Sequence, residues 1–335
     1  MNLIKISAAI LLFPMLVTSC IKNPGSDGSV KNSSLPNVTG SSGEILVVMD
    51  NNLWKSEGGN ALREALEQEY PALPQPEPLF DVIHITSIAF DDLFKMHRSI
   101  IIADVSSANK TAELKYFENI WAKPQFVAKL LAPDPESLNI LIKDNAEKLI
   151  SNLRRYDRKR LADLYKSTRD LGLKSVVAGV GVDLSVPRGY NVDIKTDEFV
   201  SLSIESNQTS QVLFIYRYPY FDKNDLSTSR LIEKRNEFLK KYTVGSRAGS
   251  YMTTSAFFPP MVYDVKINGN DFVEIRGLWE LHKGFMGGPF ISHTIVDSVN
   301  NKIVTVEGYV YNPNNKKRNL MRQMEAIVYS FELLK

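Results

Sequence analysis

The run Asp271-Phe272-Val273-Glu274-Ile275-Arg276-Gly277-Leu278-Trp279-Glu280-Leu281-His282 decides the architecture of the second half of the chain. Val273, Ile275, Trp279 and Leu281 alternate with Glu274, Arg276, Glu280 and His282, the period of two that a strand with unlike faces produces. Further strands are expected at about 182–186, 198–205, 211–218, 261–267, 290–297 and 302–311, with helices at about 226–242 and 317–333. Asn300-Asn301 reads as a two-residue hairpin turn. It sets Ile291, His293 and Ile295 opposite Val310, Gly308 and Val306, with Ser292, Thr294, Glu307 and Tyr309 on the other face. The last helix presents Leu320, Met324, Ile327, Val328 and Phe331 to a core.

Upstream the pattern changes. Glu44 begins the ordered part, and Ile45-Leu46-Val47-Val48-Met49 is a continuous apolar strand, buried on both faces. Gly58-Gly59-Asn60 offers a turn and cap for a helix over 61–69, stopped by Pro71. Leu73-Pro74-Gln75-Pro76-Glu77-Pro78 must run extended. Strands at about 80–87, 99–105 and 121–131 and helical pieces at 89–96 and 110–118 follow. Asp134-Pro135 starts a long helix, cap followed by proline at the first helical position. Its stripe Leu138, Ile142, Ala146, Leu149, Leu153, Tyr156 and Leu164 carries it to near Gly172. The expected fold class is α+β: two α/β halves, residues 43–175 and 176–335, the second an antiparallel sheet flanked by helices.

The first 19 residues read as a cleaved export signal. Lys5 precedes an apolar run, Ile6 to Val17, too short to span a bilayer. Val17-Thr18-Ser19-Cys20 then resembles a bacterial lipobox, so Cys20, the only cysteine, is the expected lipidation site. Three acyl chains hold a protein at a membrane essentially permanently. Residues 21–42, rich in Gly, Ser and Asn, read as a flexible tether. The absence of Asp beside Cys20 favours the outer membrane, with the domain facing the periplasm. Loss of Lys5 leaves 39 basic against 38 acidic residues, a balance unlike the basic excess of a nucleic-acid binder.

No residue set demands chemistry. With Cys20 acylated no thiol remains, and no Gly-x-Ser-x-Gly elbow is present. Glu280, His282 and His293 are the nearest approach to a metal set, but the hairpin puts His293 on the apolar face; neither metal nor cofactor is expected. Asp/Glu pairs for glycosidic chemistry abound, and nothing selects one. Gly179-Val180-Gly181 lacks the rest of a phosphate loop. Gly284 to Phe290 could aim the Gly287 and Gly288 amides at an anion; the plainer reading is a strand-to-strand turn with apolar plugs. Arg217 and Tyr218, in Tyr216-Arg217-Tyr218-Pro219-Tyr220, suit either a recognition surface or a core border. The basic run Arg154 to Arg160 reads as a solvated helix surface, with lipid headgroups or an acidic partner as the alternative.

Gly43 to Asp50 with Trp54, Leu73-Pro74-Gln75 with Glu77-Pro78, Gly249 to Met252, Arg276 to Glu280, Phe285 to Phe290 and Lys317-Arg318 together resemble an uncharacterised Bacteroidota lipoprotein family, a domain of unknown function. The resemblance covers essentially the whole chain after Cys20. It brings no catalytic residue with it, but supports lipidation and the outer-membrane assignment. The second half, with Val186-Pro187-Arg188-Gly189-Tyr190 and its strand and helix order, resembles the PsbP/Mog1-type α/β/α sandwich, which implies an assembly or partner-binding module. The expectation is a membrane-anchored, non-catalytic binding or assembly module, touching lipid through Cys20 and an envelope protein partner, but no nucleic acid. Tyr218, Arg217, Arg276, Gly287 and Gly288 are its candidate contacts. The alternatives are a wall- or carbohydrate-active enzyme using Asp/Glu, or a small-ligand carrier.

Overall fold

The structure, a computed structural model, describes residues 35–334. Cys20 and the expected signal segment lie outside the described residues.

The first half is built on a five-stranded sheet, ordered β2-β1-β3-β5-β4. Its strands are β1 (Glu44–Val48), β2 (Asp81–Ile85), β3 (Ser99–Val105), β4 (Glu113–Glu118) and β5 (Phe126–Ala132). β1 is an internal strand, parallel to both neighbours, which is why its apolar run is continuous: Ile45, Val47 and Met49 enter the main core, Leu46 and Val48 a smaller one under Phe90, Phe94 and Trp121. Helices α1 (Asn51–Trp54), α2 (Glu57–Glu67), α3 (Asp92–Lys95) and α4 (Pro135–Thr168) accompany it. Residues 113–118, expected helical, form the antiparallel edge strand β4. Glu-Leu-Lys-Tyr-Phe-Glu is too short to declare a period, and the unpaired edge of β5 decides the outcome.

Asp134 caps α4, accepting from the Ser137 amide at 2.8 Å. The helix does not run on to Gly172. It stops at Thr168, the chain extends at Arg169, and Asp170 caps a new helix, α5 (Leu171–Ala178), accepting from the amides of Gly172 and Leu173. Part of the expected tether is docked: the Val38 amide donates to the Lys123 carbonyl, and Ser42 Oγ donates to Asp157 on α4 at 2.8 Å.

The second half contains β6 (Val182–Asp183), β7 (Asn191–Lys195), β8 (Phe199–Glu205), β9 (Ser210–Pro219), β10 (Tyr251–Thr254), β11 (Met261–Ile267), β12 (Asn270–His282), β13 (Gly287–Asp297), β14 (Lys302–Tyr311) and β15 (Glu332–Leu333). Its eight-stranded antiparallel sheet runs β10-β12-β13-β14-β9-β8-β7, with β11 also on β12. The sheet curls around α6 (Thr228–Tyr242), so that Phe199, Phe214, Tyr216, Met252, Trp279 and Phe290 share one cluster with Phe238. The other face meets α7 (Arg318–Val328) and the main core. The α+β expectation holds for the chain.

The hairpin register differs from that expected. Asp297 pairs with Lys302, giving a four-residue loop in which the Asp297 carboxylate accepts from the amides of Val299 and Asn300. Ile291, His293 and Ile295 therefore face Gly308, Val306 and Val304. A shift of two positions preserves the faces, because the side-chain period is two. The last helix also ends early, and Glu332–Leu333 pairs with β6 instead. Every core residue described lies between Ile45 and Phe331, so the segment from Leu35 onward carries its own core.

Candidate functional site: an arginine-lined cleft

The first half of the charged face of β12, Glu274 and Arg276, does not meet water, whereas Glu280 is half-buried and His282 exposed. Strand alternation turns Glu274 and Arg276 toward α4 and α7, where they are 3% and 2% exposed. An ion buried in this way must be paired and hydrogen-bonded. Glu274 Oε1 accepts from Arg276 Nε at 2.6 Å; its Oε2 receives Tyr329 OH at 2.7 Å and His293 Nε2 at 2.8 Å. Glu325, from α7, accepts from Arg158 Nη1 at 2.8 Å and Tyr70 OH at 2.9 Å. Arg276 Nη2 approaches the same carboxylate at 3.2 Å, outside good hydrogen-bond direction. The Arg158 guanidinium lies 3.6 Å over the Tyr329 ring.

Protonation states follow from these contacts. Burial alone would raise the Glu274 carboxyl, but Arg276 and the His293 hydrogen bond outweigh it and bring it to about 2. Burial likewise opposes ionisation of Glu325, and Arg276, Arg154 and Arg158 overcome it, holding it well below the carboxylate range. Burial lowers His293, against the pull of Glu274. A neutral His293 facing an acceptor-only carboxylate donates from Nε2, which leaves buried Nδ1 without a partner. Burial pushes Tyr70 up to about 12.

Beside this network a cleft of about 470 Å³ opens between α4 and β11–β12, with Arg154, Arg158, Arg276 and Tyr329 among its walls and Glu147, Tyr263 and Asp264 also lining it. Arg154 is the underused group. Its nearest acidic atom, Glu325 Oε1, is 3.8 Å away, its side chain is 30% exposed, and no hydrogen bond to it is found among the described residues.

The basic run on α4, expected on a solvated surface, is divided by the helix. Arg154 and Arg158 enter the cleft; Asp157 and Arg160 are buried at 4% and 8% exposure; Arg155 stands between the cleft and a smaller pocket that Tyr156 and Lys159 also line. Asp157 accepts from Ser42 Oγ, the Gly43 amide and Arg322 Nη1. Nearby Glu77 caps α7 from 240 residues upstream, accepting from the Lys317 amide at 2.6 Å and the Arg318 amide at 3.2 Å, while Lys317 Nζ donates to Gln75. Gly43, Gln75, Glu77, Lys317 and Arg318, distant in sequence, thus meet where the two halves join.

Of the five candidate contacts, only Arg276 reaches the cleft. Gly287 and Gly288 sit in β13 opposite Glu280 and Trp279. A Cβ on Gly288 would lie 2.1 Å from the Val310 carbonyl, and one on Gly287 2.9 Å from that of Trp279. These glycines permit close strand packing and form no anion cradle. Phe290 is a fully buried plug, whereas Phe285 is 95% exposed. Tyr218 tucks beside Phe238 under α6, while Arg217 points to the opposite face, its Nε donating to the Asp197 carbonyl. Strand alternation separates this pair, so it forms no common patch. His84 bonds the Met49 carbonyl and stacks on Trp54; His97 meets Glu44 at 2.9 Å. Among the described residues no group of three or more His, Cys, Asp or Glu could hold a metal ion. Sequence reasoning missed Glu325, Tyr70 and Tyr329; a lone Glu on the core face of the last helix was the available signal. It also missed the fully buried pair Arg235–Glu307, at 2.7 Å under α6.

Residues 38–166 match the family model of DUF8532, a domain of unknown function, and residues 171–330 match that of DUF4837, also a domain of unknown function. No curated protein matches the chain. Among solved structures, part of the chain is similar to the Saccharomyces cerevisiae Ran-binding protein Mog1p: 10% identity, TM-score 0.32, 46% of this chain and 91% of that one. A mutant of protein Mog1 is similar at 10% identity and TM-score 0.31, over 46% and 92%. At such scores the likeness has no bearing on function. The chain thus carries two successive domains of unknown function, and their boundary at residues 167–170 falls where α4 ends.

Proposed function

We propose that the protein is a lipid-anchored, non-catalytic binding module of the bacterial envelope, attached through Cys20 and recognising its partner in the arginine-lined cleft. The observation that carries this reading is Arg154, a guanidinium with spare donors at the wall of a cleft where Glu274, Glu325 and Arg158 already hold partners. Its planar fork suits a carboxylate or phosphate on the partner. Catalysis by Asp/Glu fits the same groups poorly. A glycosidase needs one carboxyl with a raised pKa to deliver a proton, and Glu274 and Glu325 are both pulled down. The preformed ion network instead offers a rigid wall.

A photo-crosslinker at exposed Tyr263, placed in the full chain in intact cells, tests this. A specific adduct that Arg154→Ala abolishes is the expected result. An adduct pattern indistinguishable from that of an unrelated lipoprotein, or one indifferent to Arg154→Ala, would remove the cleft as the recognition site. Anchoring is read separately: a Cys20→Ala chain that is processed normally and stays with membranes would sink that part alone.

A further inference from the structure

We propose that one end of the C-terminal sheet, made of residues 243–251 and the β12–β13 loop, seats the domain on an anionic lipid bilayer. Phe285, Val244 and Met286 protrude here, 95%, 71% and 42% exposed. Basic groups surround them. The Arg247 guanidinium lies 5.6 Å from the Phe285 ring centre, and Lys240 Nζ 5.2 Å from that of Tyr251. Tyr251 stacks on His282, and a Cβ on Gly249 would lie 3.6 Å from Lys283 Nζ. Residues 243–251 and 281–288 contain no Asp or Glu.

A protruding apolar tip ringed by basic groups, with one half-buried acid, Glu280, set back opposite Gly287, is the pattern of interfacial insertion. Phe and Met sink to the acyl boundary, while Lys and Arg reach back to phosphate headgroups. The opposite end of the sheet provides the contrast. Phe221 and Val299 are exposed there, at 81% and 84%, but Phe221 stands beside Asp222 and Asp225 and charges of both signs, Lys223 and Lys302 included, mix at that end. The two ends are separated by the length of β13, about 35 Å. The distribution of charge and apolar surface selects the Phe285 end. The biological setting rests on the anchored reading; the affinity of the tip does not.

The test uses residues 35–335, which contain the whole core but not Cys20, so it cannot fail merely because Cys20 is not acylated. Co-sedimentation is measured with phosphatidylcholine vesicles with and without phosphatidylglycerol. Binding is expected only with phosphatidylglycerol, and weaker at high salt. Arg247→Ala with Lys283→Ala should weaken it about thirtyfold, Phe285→Ser about tenfold, and Phe221→Ser not at all. All four positions are surface sites, and matching urea midpoints establish that the variants fold. Absence of binding to anionic vesicles, or equal losses from Phe285→Ser and Phe221→Ser, overturns the proposal. So does a vesicle-free dimer that Phe285→Ser dissolves, which would assign the tip to a second copy of the chain.

Discussion

Replacing Glu274 by Gln removes a charge while keeping shape, and its cost should depend on pH in a calculable way. Glu274 titrates at about 2 in the folded protein against an ordinary 4.5. A depressed folded pKa gives stability that is present above the unfolded value and lost as pH falls toward the folded one. A gap of that size corresponds to about 3 kcal/mol at pH 7. Burial of the group keeps solvent screening small. The same relation leaves ~1 kcal/mol at pH 3, because by then the unfolded carboxyl is almost wholly protonated and the folded one only partly. Urea unfolding, followed by fluorescence at pH 7, 5 and 3, should therefore show Glu274→Gln less stable by about 3 kcal/mol at neutrality. The gap to wild type should close by ~2 kcal/mol at pH 3. Urea is preferred over guanidinium because salt would screen the network. Other carboxylates cancel to first order in the difference between the two proteins. A gap that stays constant across this range would refute the account of Glu274 as an ion held by Arg276, His293 and Tyr329.

Glu77→Ala removes the acceptor for the amides of Lys317 and Arg318, the cap and first residue of α7, and should cost about 1–2 kcal/mol in urea unfolding. Arg235→Met leaves Glu307 charged and fully buried, a loss of about 3–5 kcal/mol, and adding Glu307→Leu should recover most of it; failure of the double variant to recover would contradict the pairing. Gly288→Ala drives a Cβ against the Val310 carbonyl, and the expected outcome is an insoluble or markedly less stable protein, read by soluble yield and thermal midpoint. Asp170→Ala should destabilise by about 1 kcal/mol through loss of the α5 cap, without altering binding in the cleft.

The candidate site was only half legible. Arg276 is among the expected contacts, on the charged face of an alternating strand, whereas Arg154 and Arg158 read as part of a solvated basic helix surface. What joined them was not visible. Glu325 and Tyr329 lie about 50 residues beyond Arg276, and Tyr70 about 200 before it, so their meeting depends on how α7 and the end of α2 pack against the sheet. The glycines of Gly287-Gly288 misled for a related reason. Their requirement for small size comes from Trp279 and Val310 on neighbouring strands, and local sequence cannot distinguish that from a loop built to hold an anion.

The sequence by itself determined the periods and the punctuation. Alternation at 271–282, the apolar run of β1 and the Asp134-Pro135 start each state a local backbone preference, and each appears in the fold. It also determined which residues share a strand face, since a two-residue error in the hairpin left every face unchanged. Only the tertiary structure decided whether a face meets water or another layer. Glu274 and Arg276 on the charged face of β12 look solvent-directed in isolation, and become interior because α4 and α7 cover them and supply counter-ions. Tertiary packing likewise made residues 113–118 a strand, by offering them the open edge of β5. Periodicity is a property of neighbouring residues, whereas burial of a charge is a property of whatever arrives opposite it.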